Sequence, residues 1–313
     1  MMKPFAFVFP GQGSQSVGML DAWGDHAAVR QTLDEASQAL GEDMARLIRE
    51  GPKEQLDLTT NTQPVMLAAA VACYRAWRAE GGAEPSAVAG HSLGEYSALV
   101  AAGALTLADA LPLVRFRAQA MQSAVPVGEG AMAAILGLEA AAVVEGCQRA
   151  AAEAGAVVSA ANFNDPKQTV ISGAKAGVDK ACELLKGMGA KRTLPLPVSA
   201  PFHCALMRPA AEALKQRLAG VPVVAPRIPV VNNVDVAVVG DPQAIRDALY
   251  RQAFGPVRWV EVINALRGRG LSQVIECGPG KVLAGMTKRI DGELQGGAVF
   301  DPASLAEMQA ALA

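Results

Sequence analysis

Residues 90–94 read G-H-S-L-G, a G-x-S-x-G pattern that restricts the local fold more than any other segment of the chain. A short apolar run, residues 87–89, precedes this pentapeptide, and a helix-forming run, residues 95–102, follows it. A strand, a tight turn and a helix in this order form a nucleophile elbow, whose flanking glycines leave room for the sharp turn. We therefore expect Ser92 to project alone above a helix N-terminus, where the Leu93 N–H is the first candidate for binding an oxyanion. The alternative is a serine in a glycine-flanked turn that only caps a helix.

Strand-like and helix-like segments alternate through the first part of the chain. The apolar run at residues 5–9 stops at a Pro-Gly pair, which is typical of a central parallel strand. Helical patterns follow at about residues 28–40, 64–79 and 105–121. Because this alternation is the pattern of a layered sheet, we predict an α/β fold whose large domain is α/β-hydrolase-like and has a mainly parallel sheet.

A different pattern begins at Gly128. Strands are predicted at 131–136, 156–161, 168–172 and 191–196, and helices at 139–154 and 178–188. This βαββαβ order is ferredoxin-like, and a chain of 313 residues exceeds the usual size of a single core. We therefore predict a small inserted domain at 128–197, and a large catalytic domain formed by 1–127 and 198–313. Later elements of the large domain are predicted at 206–219, 230–231, 244–253, 259–269 and 274–276, with one last clear helix after Gly280. An active site is expected between the two domains.

The charge pattern and the motifs that are missing exclude several classes of function. The net charge is −2 and both signs are interspersed, so we expect neither a nucleic-acid partner nor an anionic membrane surface. No signal peptide or membrane span is predicted, and the five scattered cysteines are typical of reduced thiols in a cytoplasmic protein. The loop at 11–15 is not a dinucleotide fingerprint, because Ser16 stands where a third glycine is required. It can instead bring its backbone or the Gln12 amide to the site. With no metal-spaced ligands either, we expect no metal and no cofactor.

The base for Ser92 follows by elimination. A serine hydroxyl needs a neighbouring base, most often histidine near neutral pH, and the chain has three histidines. His26 lies in a polar stretch and is expected to face solvent. His91 adjoins Ser92 in a turn where neighbouring side chains diverge. His203, where the insert returns to the large domain, is therefore the predicted general base, against the alternative of a packed core histidine.

A third, acidic member of a triad is not identifiable. A conventional triad adds Asp or Glu to orient the histidine. Carboxylates between the serine and the histidine mostly lie in the predicted small domain, at Glu139, Glu145, Asp179 and Glu183. The sequence gives no reason to place any of these carboxylates near Ser92. The working hypothesis is a Ser-His dyad, with a carbonyl as the alternative third member.

Arg117 lies on or beside the apolar stripe of the predicted helix 105–121, because its neighbours one turn away are Leu113, Val114, Ala120 and Met121. Burying a cation without a partner costs several kcal/mol as an order of magnitude, so we expect a carboxylate opposite it. That carboxylate belongs either to this protein or to a substrate held by the bidentate arginine fork. The residues alone leave both alternatives open.

Together, these motifs resemble a known family. The matching segments are residues 7–15, 90–95, Arg117, 162–164, 197–203 and 278–281. In this order, over essentially the whole chain, they resemble the malonyl-CoA:acyl carrier protein transacylases of bacterial fatty-acid synthesis, which are related to the acyltransferase domains of polyketide synthases.

The resemblance implies a ping-pong acyl transfer. Ser92 would attack the thioester of malonyl-CoA with His203 as base, CoA would leave, and the phosphopantetheine thiol of acyl carrier protein would take the malonyl group. Gln12 and the Leu93 N–H would form the oxyanion hole, and Arg117 would bind the free carboxylate of malonate.

The resemblance also implies roles for three further residues. Asn164 and Val198 would line the substrate pocket. In this family a backbone carbonyl rather than an acid orients the histidine, and Gln252 matches that position. The implied partners are acyl carrier protein and malonyl-CoA or CoA, and the enzyme is expected to be a monomer.

Three alternatives remain open at this point. Phe202 before His203 is familiar from malonyl-specific polyketide synthase domains, which leaves open a trans-acting polyketide role. A serine hydrolase or thioesterase would use the same elbow with water as acceptor, although Arg117 on an apolar face argues against it. A catalytically silent module that docks acyl carrier protein is the third alternative.

Overall fold

The computed structural model describes residues 3–313 of the chain. Nine strands lie in this part of the chain: β1 (Phe5–Phe9), β2 (Ala87–Gly90), β3 (Gly130–Leu136), β4 (Val158–Asp165), β5 (Gln168–Ala174), β6 (Arg192–Pro195), β7 (Val230–Val231), β8 (Gln273–Cys277) and β9 (Gln295–Val299). They form two separate sheets, one of five strands and one of four.

Thirteen α-helices connect and cover these strands within the described residues. They are α1 (Ala27–Leu40), α2 (Met44–Glu50), α3 (Lys53–Leu56), α4 (Thr59–Ala79), α5 (Gly94–Ala101), α6 (Leu107–Ser123), α7 (Ala140–Ala154), α8 (Lys175–Gly187), α9 (Arg208–Ala219), α10 (Pro242–Phe254), α11 (Trp259–Gly268), α12 (Val282–Ile290) and α13 (Pro302–Leu312). Short 3-10 turns lie at Asp21–Trp23 and Ala205–Met207.

The five-stranded sheet is parallel throughout, in the order β7-β2-β1-β8-β9. Its central strand β1 is buried on both faces, as the apolar run predicts. The three phenylalanines of β1 point to one face and pack near Tyr74 and Trp77 of α4. Ala6 and Val8 point to the other face and share a core with Trp259 of α11. The sheet is therefore the middle layer between two helical layers, and β1, β2 and β7 end at the same edge.

The four-stranded sheet is antiparallel, in the order β4-β5-β3-β6. Side chains of β3 alternate between its faces: Ala133 and Ile135 pack in the core formed with α7 and α8, and Met132 and Ala134 point the other way. The molecule is thus a mixed α/β protein with a parallel sheet and a separate antiparallel sheet.

Strand β4 connects the two sheets. Val257, from the segment before α11, donates its N–H to the Ala161 carbonyl (2.8 Å) and accepts the Phe163 N–H (2.9 Å). At the end of the same strand, the buried Asp165 carboxylate accepts a hydrogen bond from the Arg289 Nε of α12 at 2.7 Å. These contacts hold the end of β4 against the layer that contains α11 and α12.

The structure corrects several predicted elements. Strand β4 does not end at 161 but continues to Asp165, because its pairing with β5 and Val257 outweighs the poor strand propensity of Asn and Asp. Helices α2 and α3 lie in a stretch for which no helix is predicted. The helix after Gly280 is not the last element: β9 and α13 follow it.

The remaining sequence predictions for the fold concern the cysteines and membrane-spanning helices. All five cysteines are free; Cys182 is half-buried and the other four are buried. Among residues 3–313, no helix has the length and apolar character needed to cross a membrane.

Candidate active site

The elbow forms as its glycines predict. Strand β2 ends at Gly90, α5 begins at Gly94, and Ser92 between them has a φ of 51°, which non-glycine residues rarely adopt. A Cβ on Gly90 would lie 1.9 Å from the Gly94 carbonyl carbon, and one on Gly94 would lie 2.1 Å from the Phe9 oxygen. Any side chain at either position would therefore force the turn open.

Asn233, in the loop after β7, holds the elbow from the neighbouring strand. Its Oδ1 accepts the Ser92 N–H at 2.8 Å, and its Nδ2 donates to the Gly90 carbonyl at 2.7 Å. Both backbone groups of the strained turn thus have partners inside the protein, where an unpaired polar group is costly. Sequence reasoning missed this residue, although its place at the carboxyl end of a parallel strand was an available signal.

His203 lies within hydrogen-bond distance of Ser92. The histidine Nε2 is 2.6 Å from Ser92 Oγ, and Nδ1 is 2.9 Å from the Gln252 carbonyl and 3.2 Å from the Gly255 carbonyl. Because carbonyls only accept, the proton of a neutral ring lies on Nδ1, which leaves Nε2 free to accept the serine proton. Burial, reinforced by the nearby Arg117 cation, lowers the pKa of His203 to about 3.

The other two histidines are held elsewhere. His91 Nε2 lies 2.8 Å from Asn164 Oδ1, so this histidine joins the elbow to β4 and does not bond to the serine hydroxyl. Burial lowers its pKa. The expectation that His26 faces solvent is wrong in part: its ring packs against Trp23, and its Nε2 contacts the Glu80 carboxylate at 3.1 Å.

Arg117 is fully buried, and its hydrogen-bond partners are two side-chain amides and the Ser92 hydroxyl. Its Nη1 donates to Gln63 Oε1 at 2.8 Å, and its Nη2 donates to Gln252 Oε1 at 3.0 Å and to Ser92 Oγ at 3.2 Å. Within residues 3–313, no Asp or Glu oxygen lies within 4.0 Å of this guanidinium. Of the two alternatives for the expected carboxylate, a direct partner among the described residues of this protein is therefore excluded. Burial without a contacting anion also lowers the pKa of Arg117.

Glu95 is a buried carboxylate that contacts the same Gln252 amide as Arg117, and sequence reasoning missed it. It lies in the first turn of α5, and its Oε2 accepts the Asn233 N–H at 2.9 Å and the Gln252 Nε2 at 3.1 Å. Burial raises its pKa to about 7, against the opposing effect of these hydrogen bonds. The signal was a charged residue one turn after Ser92 on a helix whose other positions are mostly apolar.

The low pKa of His203 predicts how Ser92 reactivity depends on pH. Since the pKa is depressed, the ring stays neutral as pH falls, and modification of Ser92 by an uncharged sulfonyl fluoride is expected to vary less than about threefold between about pH 8 and pH 5. The rate is measured by intact mass in wild type and in Glu95→Gln, which removes the neighbouring titration. A tenfold loss with a midpoint near 6.5 in both proteins would contradict a buried neutral base.

A cleft of about 710 Å³ lies between the two sheets and contains the serine and the histidine. Its lining also includes five other residues named from the sequence: Gln12, Leu93, Arg117, Asn164 and Val198. Gln252 lies behind this wall, fully buried. Among the described residues, no cluster of three His, Cys, Asp or Glu side chains has the arrangement of a metal site.

Two backbone donors at the cleft are free of internal acceptors. In the part of the chain that the structure describes, neither the Gln12 N–H nor the Leu93 N–H makes a hydrogen bond within the protein. The Gln12 side chain is used elsewhere, since its Nε2 donates to Thr59 Oγ1 at 3.2 Å. The Leu93 N–H lies at the N-terminus of α5, whose helix dipole favours an anion.

Comparison with known proteins agrees with this geometry. A family model described as acyl transferase domain matches residues 6–293. The malonyl CoA-acyl carrier protein transacylase of Escherichia coli strain K12 is 52% identical over 306 residues, which cover 97% of this chain and 98% of that protein. The solved acyl-carrier-protein S-malonyltransferase of Burkholderia pseudomallei 1710b is 67% identical, with a TM-score of 0.96 and coverage of 98% and 99%. A solved malonyl-transacylase in complex with a type II PKS acyl-carrier protein is 49% identical, with a TM-score of 0.96 and coverage of 99% and 100%. The chain therefore belongs to the acyl transferase domain family.

Proposed function

We propose that this protein transfers the malonyl group of malonyl-CoA to the phosphopantetheine thiol of acyl carrier protein through a malonyl-Ser92 intermediate. The observation that supports this most directly is Arg117, a buried guanidinium 3.2 Å from Ser92 Oγ with no contacting carboxylate of the described chain. A dicarboxylic acyl group on the serine supplies that carboxylate. The activities for which its relatives are named support the same function.

In the first half-reaction, Ser92 Oγ attacks the thioester carbonyl carbon while His203 Nε2 takes the hydroxyl proton. The Gln252 carbonyl stabilises the resulting imidazolium through Nδ1–H. The tetrahedral oxyanion receives the Gln12 and Leu93 N–H donors. Its collapse breaks the C–S bond, and the CoA thiolate leaves with the proton from Nε2.

The second half-reaction reverses these steps with another thiol. His203 takes the proton of the phosphopantetheine thiol, whose sulfur attacks the malonyl ester. The ester C–O bond breaks, and the proton returns to Ser92 Oγ. Nucleophile, base and carboxylate-binding group all come from side chains of one chain, so we propose that the reaction needs no cofactor or metal and that a monomer is sufficient.

Two structural assignments accompany this function. We propose that the unit with the parallel sheet, 1–127 and 198–313, is an α/β-hydrolase-like catalytic domain, and that 128–197 is a ferredoxin-like insert. The strand order β4-β5-β3-β6 with two helices on one face supports the second assignment. Asn164 and Val198 then line the substrate pocket at the boundary between the two units.

The malonyl group that this protein transfers could supply either of two biosynthetic pathways. We propose fatty-acid synthesis, in line with the bacterial relatives, and a trans-acting polyketide role as the alternative. Phe202 before the histidine and the related complex with a type II PKS acyl-carrier protein favour keeping that alternative. Transfer rates to a fatty-acid carrier and to a polyketide carrier, measured side by side, separate the two.

Intact mass after mixing with malonyl-CoA tests the function. We expect a stable malonyl adduct on wild type, which disappears when phosphopantetheinylated acyl carrier protein is added and reappears on the carrier. Rapid release of free malonate without carrier would instead indicate a hydrolase. A protein that binds carrier but never forms an adduct would be a docking module.

A further inference from the structure

Glu95 is a buried carboxylate that the proposed reaction does not use. Its side chain is 2% exposed, and no Lys, Arg or His of the described chain forms an ion pair with it. Nor does it accept a hydrogen bond from the first N–H groups of its own helix. Burying such a group is costly, and an apolar residue would pack at lower cost. A carboxylate buried at this position is therefore expected to have a specific role in its surroundings.

Both hydrogen bonds of Glu95 lead to residues that contact the reacting groups. Asn233, whose side chain holds the elbow, donates its backbone N–H to Glu95 Oε2, so this oxygen is an acceptor whether the carboxyl is ionised or not. The same oxygen accepts Gln252 Nε2. The Asn233 N–H thus fixes the position of Glu95 Oε2, the oxygen that accepts a hydrogen bond from the Gln252 amide.

The Gln252 amide can satisfy its surroundings in only one orientation. Its Nε2 donates to Glu95 Oε2 and to the Ser92 carbonyl at 2.9 Å, and its Oε1 accepts Arg117 Nη2. Since arginine only donates, a reversed amide would set donor against donor. Glu95 supplies one of the two acceptors that hold this orientation.

We propose that Glu95 is a positioning residue: its acceptor oxygen holds the Gln252 amide, and through it Arg117, in the orientation that receives the substrate carboxylate. This inference rests on the proposed malonyl transfer. Glu95 acts on selectivity for a dicarboxylic acyl group, because Arg117 is the group that meets the free carboxylate. It contacts neither the substrate nor the hydroxyl of Ser92.

The test compares Glu95→Met, which removes the acceptor at similar length, with Glu95→Gln, which keeps one. Ser92 loading by malonyl-CoA and by acetyl-CoA is followed by intact mass, and an uncharged sulfonyl fluoride reports on the reactivity of Ser92 without a substrate carboxylate. We expect the malonyl-to-acetyl ratio to fall about tenfold in Glu95→Met, the size of a lost hydrogen bond in a charged network. In Glu95→Gln the ratio is expected to stay within about threefold, and sulfonyl fluoride labelling within about threefold in both.

Glu276→Met is the matched control. Glu276 is also fully buried, with its pKa likewise raised to about 7 by burial, but its carboxylate accepts the Ala284 N–H at the start of α12. Its loss is expected to lower the melting temperature and leave the ratio unchanged. A ratio that falls in this control as well would mean a general effect of removing a buried carboxylate, and would overturn the inference.

Other outcomes are equally decisive. An unchanged ratio in Glu95→Met, a loss in Glu95→Gln as large as in Glu95→Met, or a parallel loss of sulfonyl fluoride labelling each overturns the positioning role. If Glu95→Met does not fold, Gln252→Met decides, because it keeps the backbone carbonyl for His203 and removes only the amide; an unchanged ratio there overturns the inference. Wild type that takes up no malonyl group contradicts the proposed function itself, which is a separate result.

Discussion

Replacing Ser92 with alanine is expected to abolish malonyl loading and to lower transfer to acyl carrier protein by at least about 10⁴-fold, because the covalent intermediate has no other site. Ser92 Oγ contacts both the base His203, at 2.6 Å, and the buried Arg117 guanidinium, at 3.2 Å. The measurements are intact mass after mixing with malonyl-CoA and the steady-state rate of carrier acylation.

Ser97→Ala is the matched control for this change. Ser97 lies on the same helix α5, and its buried hydroxyl has no hydrogen-bond partner within residues 3–313. Loading is therefore expected to stay at the wild-type level. A malonyl adduct that persists in Ser92→Ala would place the acyl group on another residue and contradict the elbow as its site.

Replacing Arg117 with alanine or methionine is expected to slow malonyl loading by about 10²–10³-fold, the cost of losing a buried charged pair with the substrate carboxylate. Acetyl-CoA has no free carboxylate, so its loading is expected to fall less than about tenfold, through the lost contact with Ser92 Oγ. The methionine variant keeps a long unbranched side chain, so it separates lost charge from lost volume. Loading with each thioester is followed by intact mass.

Arg115 on the same helix provides the control. Its guanidinium pairs with the half-exposed Glu42 at 2.7 Å, away from the cleft, and such surface pairs contribute about 1 kcal/mol or less to stability. Arg115→Ala is expected to load both acyl groups as wild type does. Equal losses of malonyl and acetyl loading in Arg117→Ala would contradict a role in binding the carboxylate.

Elements with a strong local pattern were predictable from the sequence, and those stabilised by distant pairing were not. Apolar runs bounded by turn residues predict three strands: the buried strand β1, the strand β2 that leads into the elbow, and its neighbour β7. The far end of β4 was not predictable, because Asn and Asp disfavour strands and only pairing with β5 and Val257 holds them extended. Strand β9 contains two adjacent glycines, which weaken its strand pattern in the same way.

The sequence by itself determined the elbow at Ser92, because a turn this tight requires glycine at 90 and 94, and that requirement lies within five consecutive residues. It also singled out His203, since only three histidines were available. Only the tertiary structure decided what surrounds Arg117. Gln63 and Gln252 lie 54 and 135 residues from it in sequence, and Glu95 reaches it only through the Gln252 amide. Which groups become partners depends on where the folded chain places their donors and acceptors and how these are oriented. No local pattern in the sequence encodes that orientation.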